Sequence, residues 1–138
     1  VHRLKHDFPE LEIVINGGIC TLEQANEQLA LVDGVMVGRA VYHNPYLLAM
    51  ADGRVFGDAR PTPTRHDLVH AYLPYVERQL ATGVRLSCMT RHIMGLYQGL
   101  PGARAWRSYL SERGSRRGAG TEVILQALRL LPRELAGE

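Results

Sequence analysis

The sequence has very little cysteine, since Cys20 and Cys88 are the only two in 138 residues. They form no CxxC pair, and a small secreted scaffold held by disulfides would need more of them. The sequence also has no uninterrupted apolar run of the roughly 18 residues that a membrane-spanning helix requires. Its first residues lack the pattern of a signal peptide. We therefore expect a cytoplasmic protein without a membrane span, in which both cysteines are small packing residues.

Metal-ligand spacing is absent as well. Among six histidines His66 and His70 stand four residues apart, and no carboxylate motif of the HExxH kind accompanies them. The sequence therefore predicts no metal site. Its hydrophobic content of 46% is instead enough for one ordinary globular domain, or slightly more.

Charge is unevenly distributed along the chain. Residues 1–57 hold four basic and seven acidic side chains, a net charge of −3, whereas residues 58–138 hold twelve and seven, a net charge of +5. Seven arginines and one acid, Glu112, fall within residues 85–117. This asymmetry favours a polyanionic partner such as a nucleic acid. A solvated surface without a ligand explains it equally well, since only Lys5 among the sixteen basic residues is not arginine.

The first part of the chain has the pattern of a strand, a helix and a second strand. Residues 13–15 are three consecutive β-branched side chains, which are typical of a buried parallel strand. Thr21 and Gln24 form a capping-box pattern that starts a helix, and residues 35–37 form a second apolar strand. Two strands alone do not make a stable parallel sheet. We therefore expect both strands to be buried on both faces, with the rest of the sheet lying outside this chain.

The remainder of the chain is predicted to be helical. Residues 57–67 contain two prolines and have the composition of a linker. Beyond them the pattern predicts a small bundle of four helices. The first helix starts at the capping pair Thr64 and Asp67 and ends at Gly83. The other three cover residues 84–98, 103–112 and 121–131. We accordingly predict one domain over residues 1–57 and a second over residues 58–138.

Each predicted strand ends in a turn with few side chains. Asn16, Gly17 and Gly18 follow the first strand, and Gly38 and Arg39 follow the second. Glycine lets backbone N–H groups approach an anion, the N-terminus of the following helix is partly positive, and arginine binds phosphate oxygens strongly. Loops after the last two strands of a (β/α)8 barrel are a frequent phosphate site. The pattern favours a phosphate-bearing ligand, although two tight turns without a ligand also account for the glycines.

Three stretches of the sequence carry a more specific pattern. They are "VINGGI" at residues 14–19, "DGVMVGRAVYHNP" at 33–45 and "TRHIMGLYQGLPGARAWRSYLSE" at 90–112. Together they resemble the flavin-dependent tRNA-dihydrouridine synthases, in particular the A-type branch, over about residues 1–131. The resemblance implies an α/β fold that is the C-terminal portion of such an enzyme. That portion comprises the last two strands of a (β/α)8 TIM barrel followed by a small all-α helical bundle.

The resemblance also implies a function. Members of this family are oxidoreductases that reduce the C5–C6 double bond of particular uridines in tRNA, with FMN as hydride carrier and NADPH as reductant. The family holds the FMN phosphate with the backbone of the two glycine turns, and residues 58–138 match its tRNA-binding domain. The implied cofactor-binding residues are Asn16, Gly17, Gly18, Gly38 and Arg39.

The third predicted helix has one apolar and one basic face. Trp106 and the residues three before and four after it share a face, so we expect them to pack inward. Arg104 and Arg107 then point outward. Together with Arg91, these two arginines are the predicted RNA contacts, binding phosphates of a folded RNA. An exposed arginine face without a ligand stays open as the alternative.

The resemblance leaves part of the chemistry unassigned. The family's catalytic cysteine, lysine and histidine lie in earlier barrel strands, and neither Cys20 nor Lys5 matches their setting. We therefore predict no catalytic residue in this chain and expect it to be inactive by itself. Two other functions remain open, a non-catalytic RNA-binding module and another phosphate-binding TIM-barrel enzyme whose basic helices bind no RNA.

Overall fold

The computed structural model describes residues 1–132 of the chain. They form an α/β protein, mostly helical, with one two-stranded parallel sheet. The chain divides into two compact units, Val1–Pro61 and a second that begins at Thr62. This division falls within the proline-containing segment predicted to be a linker. The assignment of the two parts to a barrel and to a tRNA-binding domain stays a prediction, and residues 133–138 of the predicted second domain lie outside the described residues.

The first unit is built on two parallel strands joined through a helix. Helix α1, His2–Asp7, precedes strand β1, Val14–Asn16; helix α2, Leu22–Leu29, then leads to strand β2, Gly34–Met36. The strands pair in parallel, with Val14 opposite Gly34 and Asn16 opposite Met36. The predicted strand, helix and strand are therefore confirmed, although β1 starts one residue later and β2 one residue earlier than the pattern indicates.

The two strands are less buried than the sequence predicts. Val14 is 55% exposed and Met36 is 45% exposed. The expectation of burial on both faces is wrong for the described residues, because a sheet of two strands leaves both outer edges and much of one face without a neighbour. The β-branched composition is thus not matched by burial within residues 1–132.

A charged contact joins the beginnings of the two strands. The Lys5 Nζ lies 2.8 Å from the Asp33 Oδ2, and the same oxygen accepts a hydrogen bond of 2.8 Å from the Ile13 amide. Lys5 also donates to the carbonyls of Pro9 and Leu11. The hydrogen bond from Lys5, followed by that from the Ile13 amide, lowers the pKa of Asp33 below its usual value. The carboxylate is thereby kept ionised and holds the α1–β1 loop against the start of β2.

Three short helical segments complete the first unit. They are helix α3, Arg39–His43, a 3-10 helix, Pro45–Met50, and helix α4, Ala51–Phe56. The predicted restart at Pro45 is present, since proline fits the first turn of a helix but not its interior. An ion pair between Arg54 and Glu23 connects α4 to α2.

The described part of the second unit, residues 62–132, contains four α-helices. They are α5, Arg65–Ala81, α6, Leu86–Thr90, α7, Ala103–Gly114, and α8, Thr121–Leu128. Helix α7 packs against α6 and α8, and α5 contacts the same two helices. Fully buried side chains of this unit include Val76, Leu86, Tyr97, Trp106, Leu110 and Ile124. The prediction that Trp106 is a core residue is confirmed, and its ring meets that of Tyr97 edge-on at 5.0 Å.

The predicted helix over residues 84–98 is wrong in its second half, because α6 ends at Thr90 and a series of turns follows. Side chains from α7 and α5 donate hydrogen bonds to two carbonyls of this segment. The Trp106 indole donates to the Ile93 carbonyl at 3.2 Å, and the Arg65 Nε donates to the Leu96 carbonyl at 3.0 Å. Turns with backbone bonds between residues three apart thus take the place of the α-helix, and these tertiary hydrogen bonds add to them. Sequence periodicity does not reveal the tertiary bonds.

Helix α5 begins with the predicted capping box. The Thr64 Oγ1 accepts a hydrogen bond from the Asp67 amide, and the Asp67 carboxylate accepts from the Thr64 amide at 3.0 Å. We expect Thr64→Ala to lower the free energy of unfolding by about 1 kcal/mol, the usual cost of losing such a cap. Urea unfolding measures this loss. Thr121→Ala is the matched control, because Thr121 makes no side-chain hydrogen bond within residues 1–132.

The contribution of this cap should also depend on pH. Hydrogen bonds from the Thr64 side chain, and then from its amide, lower the pKa of Asp67 below its usual value. A group whose pKa is lower in the folded state stabilises the protein above the unfolded pKa and loses that effect as the pH falls through the folded value. The difference between wild type and Thr64→Ala should therefore shrink below about pH 4. An equal difference at pH 3 and pH 7 would contradict this prediction.

Candidate phosphate site and basic surface

All five predicted cofactor-binding residues line one cavity of the first unit. Its volume is about 390 Å³, and its walls include Asn16, Gly17, Gly18, Gly38 and Arg39. Parallel pairing explains this grouping, since Asn16 and Met36 are opposite each other at the ends of their strands. The turns that follow therefore open at the same edge of the sheet. That these residues bind a phosphate stays a prediction.

The first turn depends on glycine for its backbone conformation. Gly17 has a φ of +127° and Gly18 a φ of +73°, values that residues with a side chain rarely adopt. No atom lies within 4 Å of the position that a Cβ would take at either residue. Two consecutive glycines are thus required by the turn itself, and they also leave its backbone uncovered.

The second turn has a different reason for its glycine. Gly38 has a φ of −98°, which any residue adopts, and a Cβ there would meet only the Met36 Sδ at an ordinary 3.5 Å. Neither a positive φ nor packing within the described residues demands glycine at this position. A side chain at Gly38 would instead take up room in the cavity wall, so its absence fits a site for a ligand.

The cavity favours an anion electrostatically. No aspartate or glutamate lines it, and Arg39 is exposed without an ion pair to any carboxylate of residues 1–132. Outside the β1–β2 ladder, the amides of Gly17, Gly18 and Gly38 donate no hydrogen bond to that part of the chain. Backbone amides of glycine turns together with an unpaired guanidinium are donors of the kind that bind a phosphate.

The start of helix α2 contributes less than the sequence suggests. The Thr21 Oγ1 accepts from the Gln24 amide at 3.2 Å, and the Gln24 Oε1 accepts from the Cys20 amide at 2.8 Å. These capping bonds occupy amides that would otherwise face an anion. Binding would therefore rest on the amides of the turn and on Arg39.

Both cysteines lie on the surface, so the expectation that they are packing residues is wrong. Helix α6 buries Leu86 and Met89 and leaves Cys88 on its exposed side. Cys20 precedes α2, lines the cavity, and its thiol donates weakly to the Gly18 carbonyl at 3.4 Å. A single cysteine on a short helix gives no periodicity from which its face can be read.

The predicted RNA contacts fall on two elements of the second unit. Arg104 is exposed on α7, without an ion pair among the described residues. Arg107 is half-buried, and its Nη1 donates to the Gln98 Oε1 at 3.2 Å. Arg91 is exposed but stands at the end of α6 and not within a longer helix. Their role in RNA binding stays a prediction.

A second cavity of about 650 Å³ contains arginines that the sequence analysis does not single out. Arg85, Arg116 and Arg117 line it in the second unit. The signal available in the sequence is the loop "RGSRRGAG" at residues 113–120, which is rich in arginine and glycine. The distance along the chain between Arg85 and that loop hides their grouping.

Two further observations concern metals and membranes. Within residues 1–132, no three side chains of His, Cys, Asp or Glu come together as a metal-binding group. No helix in the same range has the length and apolar character needed to cross a bilayer.

The fold and the cavity together define an α/β protein whose parallel sheet ends, at one edge, in a cavity lined by two glycine turns and Arg39 and by no carboxylate. Comparison with protein families adds the particular assignment. The family model described as dihydrouridine synthase (Dus) matches residues 1–131. The chain therefore belongs to the dihydrouridine synthase family, and the family named from the three sequence stretches is confirmed.

Curated relatives agree with this assignment. A protein of Vibrio cholerae named tRNA-dihydrouridine(20/20a) synthase is 47% identical over 136 residues, which is 99% of this chain and 42% of the relative. A protein of the same name from Shewanella oneidensis is 49% identical over 138 residues, 100% of this chain and 41% of the relative. One from Salmonella typhi is 50% identical over 131 residues, 95% and 40%. The chain thus spans about two fifths of the length of these relatives.

Proposed function

We propose that this chain is part of an FMN-dependent tRNA-dihydrouridine synthase that reduces uridines 20 and 20a of tRNA. In this proposal residues 1–57 supply the FMN phosphate site and residues 58–138 contact the RNA. One observation carries it, namely that both glycine turns and Arg39 line one cavity without a carboxylate. The names of the relatives support the reaction and the two uridine positions.

The cavity residues fit the phosphate of FMN. The amides of Gly17, Gly18 and Gly38 and the guanidinium of Arg39 supply donors, and Asn16, which also lines the cavity, carries a further polar side chain. Bound FMN supplies hydride chemistry for the C5–C6 bond of uridine, with NADPH as the reductant. What this chain's residues do is hold the anionic end of the cofactor and fix its position at the edge of the sheet.

The exposed strands support a place in a larger sheet. Val14 and Met36 present apolar side chains that the described residues do not cover, and parallel sheets are usually covered on both faces. We propose that β1 and β2 are the last two strands of a TIM barrel whose other strands cover these faces. The phosphate site would then occupy the position after the final strands that barrel enzymes commonly use.

The arginines of the second unit support a contact with RNA. Arg91 and Arg104 are exposed and without ion pairs among residues 1–132. Guanidinium groups bind phosphates of the RNA backbone and recognise its shape more than its base sequence. We propose that these two residues and Arg107 orient the tRNA while the uridine is reduced elsewhere in the enzyme.

The phosphate site is tested by changing Arg39 in the full-length protein. A hydrogen bond to a charged group contributes about 1.5–3 kcal/mol, so Arg39→Ala should weaken FMN binding about 10- to 100-fold. Fluorescence titration with FMN measures this change. Riboflavin lacks the phosphate, and its affinity should be the same for the variant and for wild type.

The matched control for this test is Arg3→Ala. The Arg3 side chain is 94% exposed and outside the cavity, so its removal should leave FMN binding unchanged. Unchanged FMN affinity in Arg39→Ala would show that Arg39 does not hold the phosphate. An equal loss of FMN and riboflavin affinity would show that the substitution does not act through the phosphate.

The RNA contacts are tested by salt dependence. Replacing Arg91, Arg104 and Arg107 by alanine should flatten the plot of log affinity for unmodified tRNA against log salt by two to three units. About one unit is lost for each phosphate contact removed. Electrophoretic shifts at several salt concentrations measure the slope. If the protein is instead a barrel enzyme whose helices bind no RNA, the wild type will show no salt-dependent tRNA binding and the three substitutions will change nothing.

The distribution of catalytic groups gives another expectation. No residue of this chain matches the catalytic cysteine of the family, so the 138-residue chain by itself should form no dihydrouridine and should bind FMN weakly at most. Incubation with unmodified tRNA, FMN and NADPH, followed by nucleoside analysis, measures the product. Turnover under these conditions would contradict the assignment of the catalytic cysteine to another part of the enzyme.

A further inference from the structure

The second cavity, lined by Arg85, Arg116 and Arg117, is an open cleft between two turns that are far apart in the sequence. One wall is formed by residues 83–86, where α5 gives way to α6, and the other by residues 115–119, between α7 and α8. The cleft has a volume of about 650 Å³, larger than the cavity of the first unit. It thus has room for an extended group and access from solvent.

The charge of this cleft is entirely positive. Arg85, Arg116 and Arg117 line it, and no acidic residue does. The Arg116 Nη2 is engaged by the Glu112 Oε1 at 3.1 Å. Arg85 and Arg117 are exposed and form no ion pair within residues 1–132. Two unpaired guanidinium groups facing one cleft repel each other, and an anion between them relieves that repulsion.

The backbone of the second wall adds donors. The Ala119 amide donates to the Arg116 carbonyl at 3.2 Å, and Gly118 has a φ of +78°, as expected for the third residue of a type II turn. Such a turn leaves the amides of its two central residues, Arg117 and Gly118, outside its own hydrogen bond. A turn of this kind beside two arginines is a suitable place for phosphate oxygens.

At the first wall of the cleft, amides of the same turn bond to carbonyls that would otherwise repel an anion. Helix α5 ends here, and the carbonyls at a helix C-terminus are partly negative. The Gly83 amide donates to the Leu80 carbonyl at 2.9 Å, and the Val84 amide donates to the Gln79 carbonyl at 3.1 Å. Gly83 has a φ of +89°, which makes this closure possible. Two carbonyls in the last turn of α5 are thereby hydrogen-bonded within the chain.

The position of the cleft indicates a large ligand. Arg104 and Arg107 lie in the first half of α7 and the cleft lies beyond its last residue, Gly114. At 1.5 Å of rise per residue, roughly 15 Å separates Arg104 from the cleft along the helix. A single phosphate compound does not reach both places, whereas an RNA backbone does.

We propose that the cleft between residues 83–86 and 115–119 is a second phosphate-binding site for the RNA backbone, with Arg85 and Arg117 as its principal donors. This inference rests on the proposed function, since it assumes that the protein binds tRNA. It adds a contact region distinct from Arg91, Arg104 and Arg107. The two regions together would hold the RNA at both ends of α7 and so restrict its rotation.

The test compares two double variants of the full-length protein with equal loss of charge. Arg85→Ala with Arg117→Ala should flatten the salt slope of tRNA binding by about two units, one for each phosphate contact. The control is Arg78→Ala with Arg129→Ala, because these arginines are exposed, unpaired within residues 1–132 and absent from the cleft. The control should change the slope by less than half a unit. Filter binding of an unmodified tRNA transcript gives both slopes.

A conservative variant separates charge from folding. Arg85→Lys with Arg117→Lys keeps both positive charges, and lysine also binds phosphate, so this variant should keep most of the slope. Thermal unfolding should show the same melting temperature for all variants, since the replaced side chains are exposed.

The outcomes distinguish this inference from the proposed function. Wild-type protein without salt-dependent tRNA binding would overturn RNA binding itself and the cleft proposal with it. Strong wild-type binding that is unchanged in Arg85→Ala with Arg117→Ala would overturn the cleft alone. Equal losses in this variant and in the control would also overturn it, since they would show a general effect of charge.

Discussion

The parallel pairing of β1 and β2 is the constraint on which the candidate site depends. With Asn16 opposite Met36, both strands end at the same edge of the sheet, and a shift of register would displace one glycine turn from the other. The contact of Lys5 and the Ile13 amide with Asp33 fixes the opposite end of the pair. One ionised carboxylate at the start of the strands thereby helps to align the turns at their ends.

Family membership and the incomplete sheet are consistent with each other. The chain spans about two fifths of its relatives, and its strands expose apolar residues that a complete parallel sheet would cover. The five residues assigned to the proposed phosphate site nevertheless line one cavity within this chain. In the proposal, the rest of the enzyme supplies the remaining contacts to the cofactor.

The helical unit shows where prediction from sequence succeeds and where it does not. The capping box at Thr64 and the burial of Trp106 follow from short-range patterns, and both are present. The segment after Thr90 looks helical in its composition, yet its carbonyls bind the side chains of Trp106 and Arg65. Such contacts join residues that are distant along the chain, so no local pattern contains them.

The sequence by itself determined the family, the order of strand, helix and strand, and the two glycine turns. The order of the elements depends on residue propensity and helix capping. The first glycine turn depends on the positive φ of Gly17 and Gly18. Only the tertiary structure decided that both turns share one cavity, that the cysteines are exposed, and that Arg85 and Arg117 face one cleft. The physical reason is that charge repulsion, burial and hydrogen bonding depend on distance in space, which packing sets.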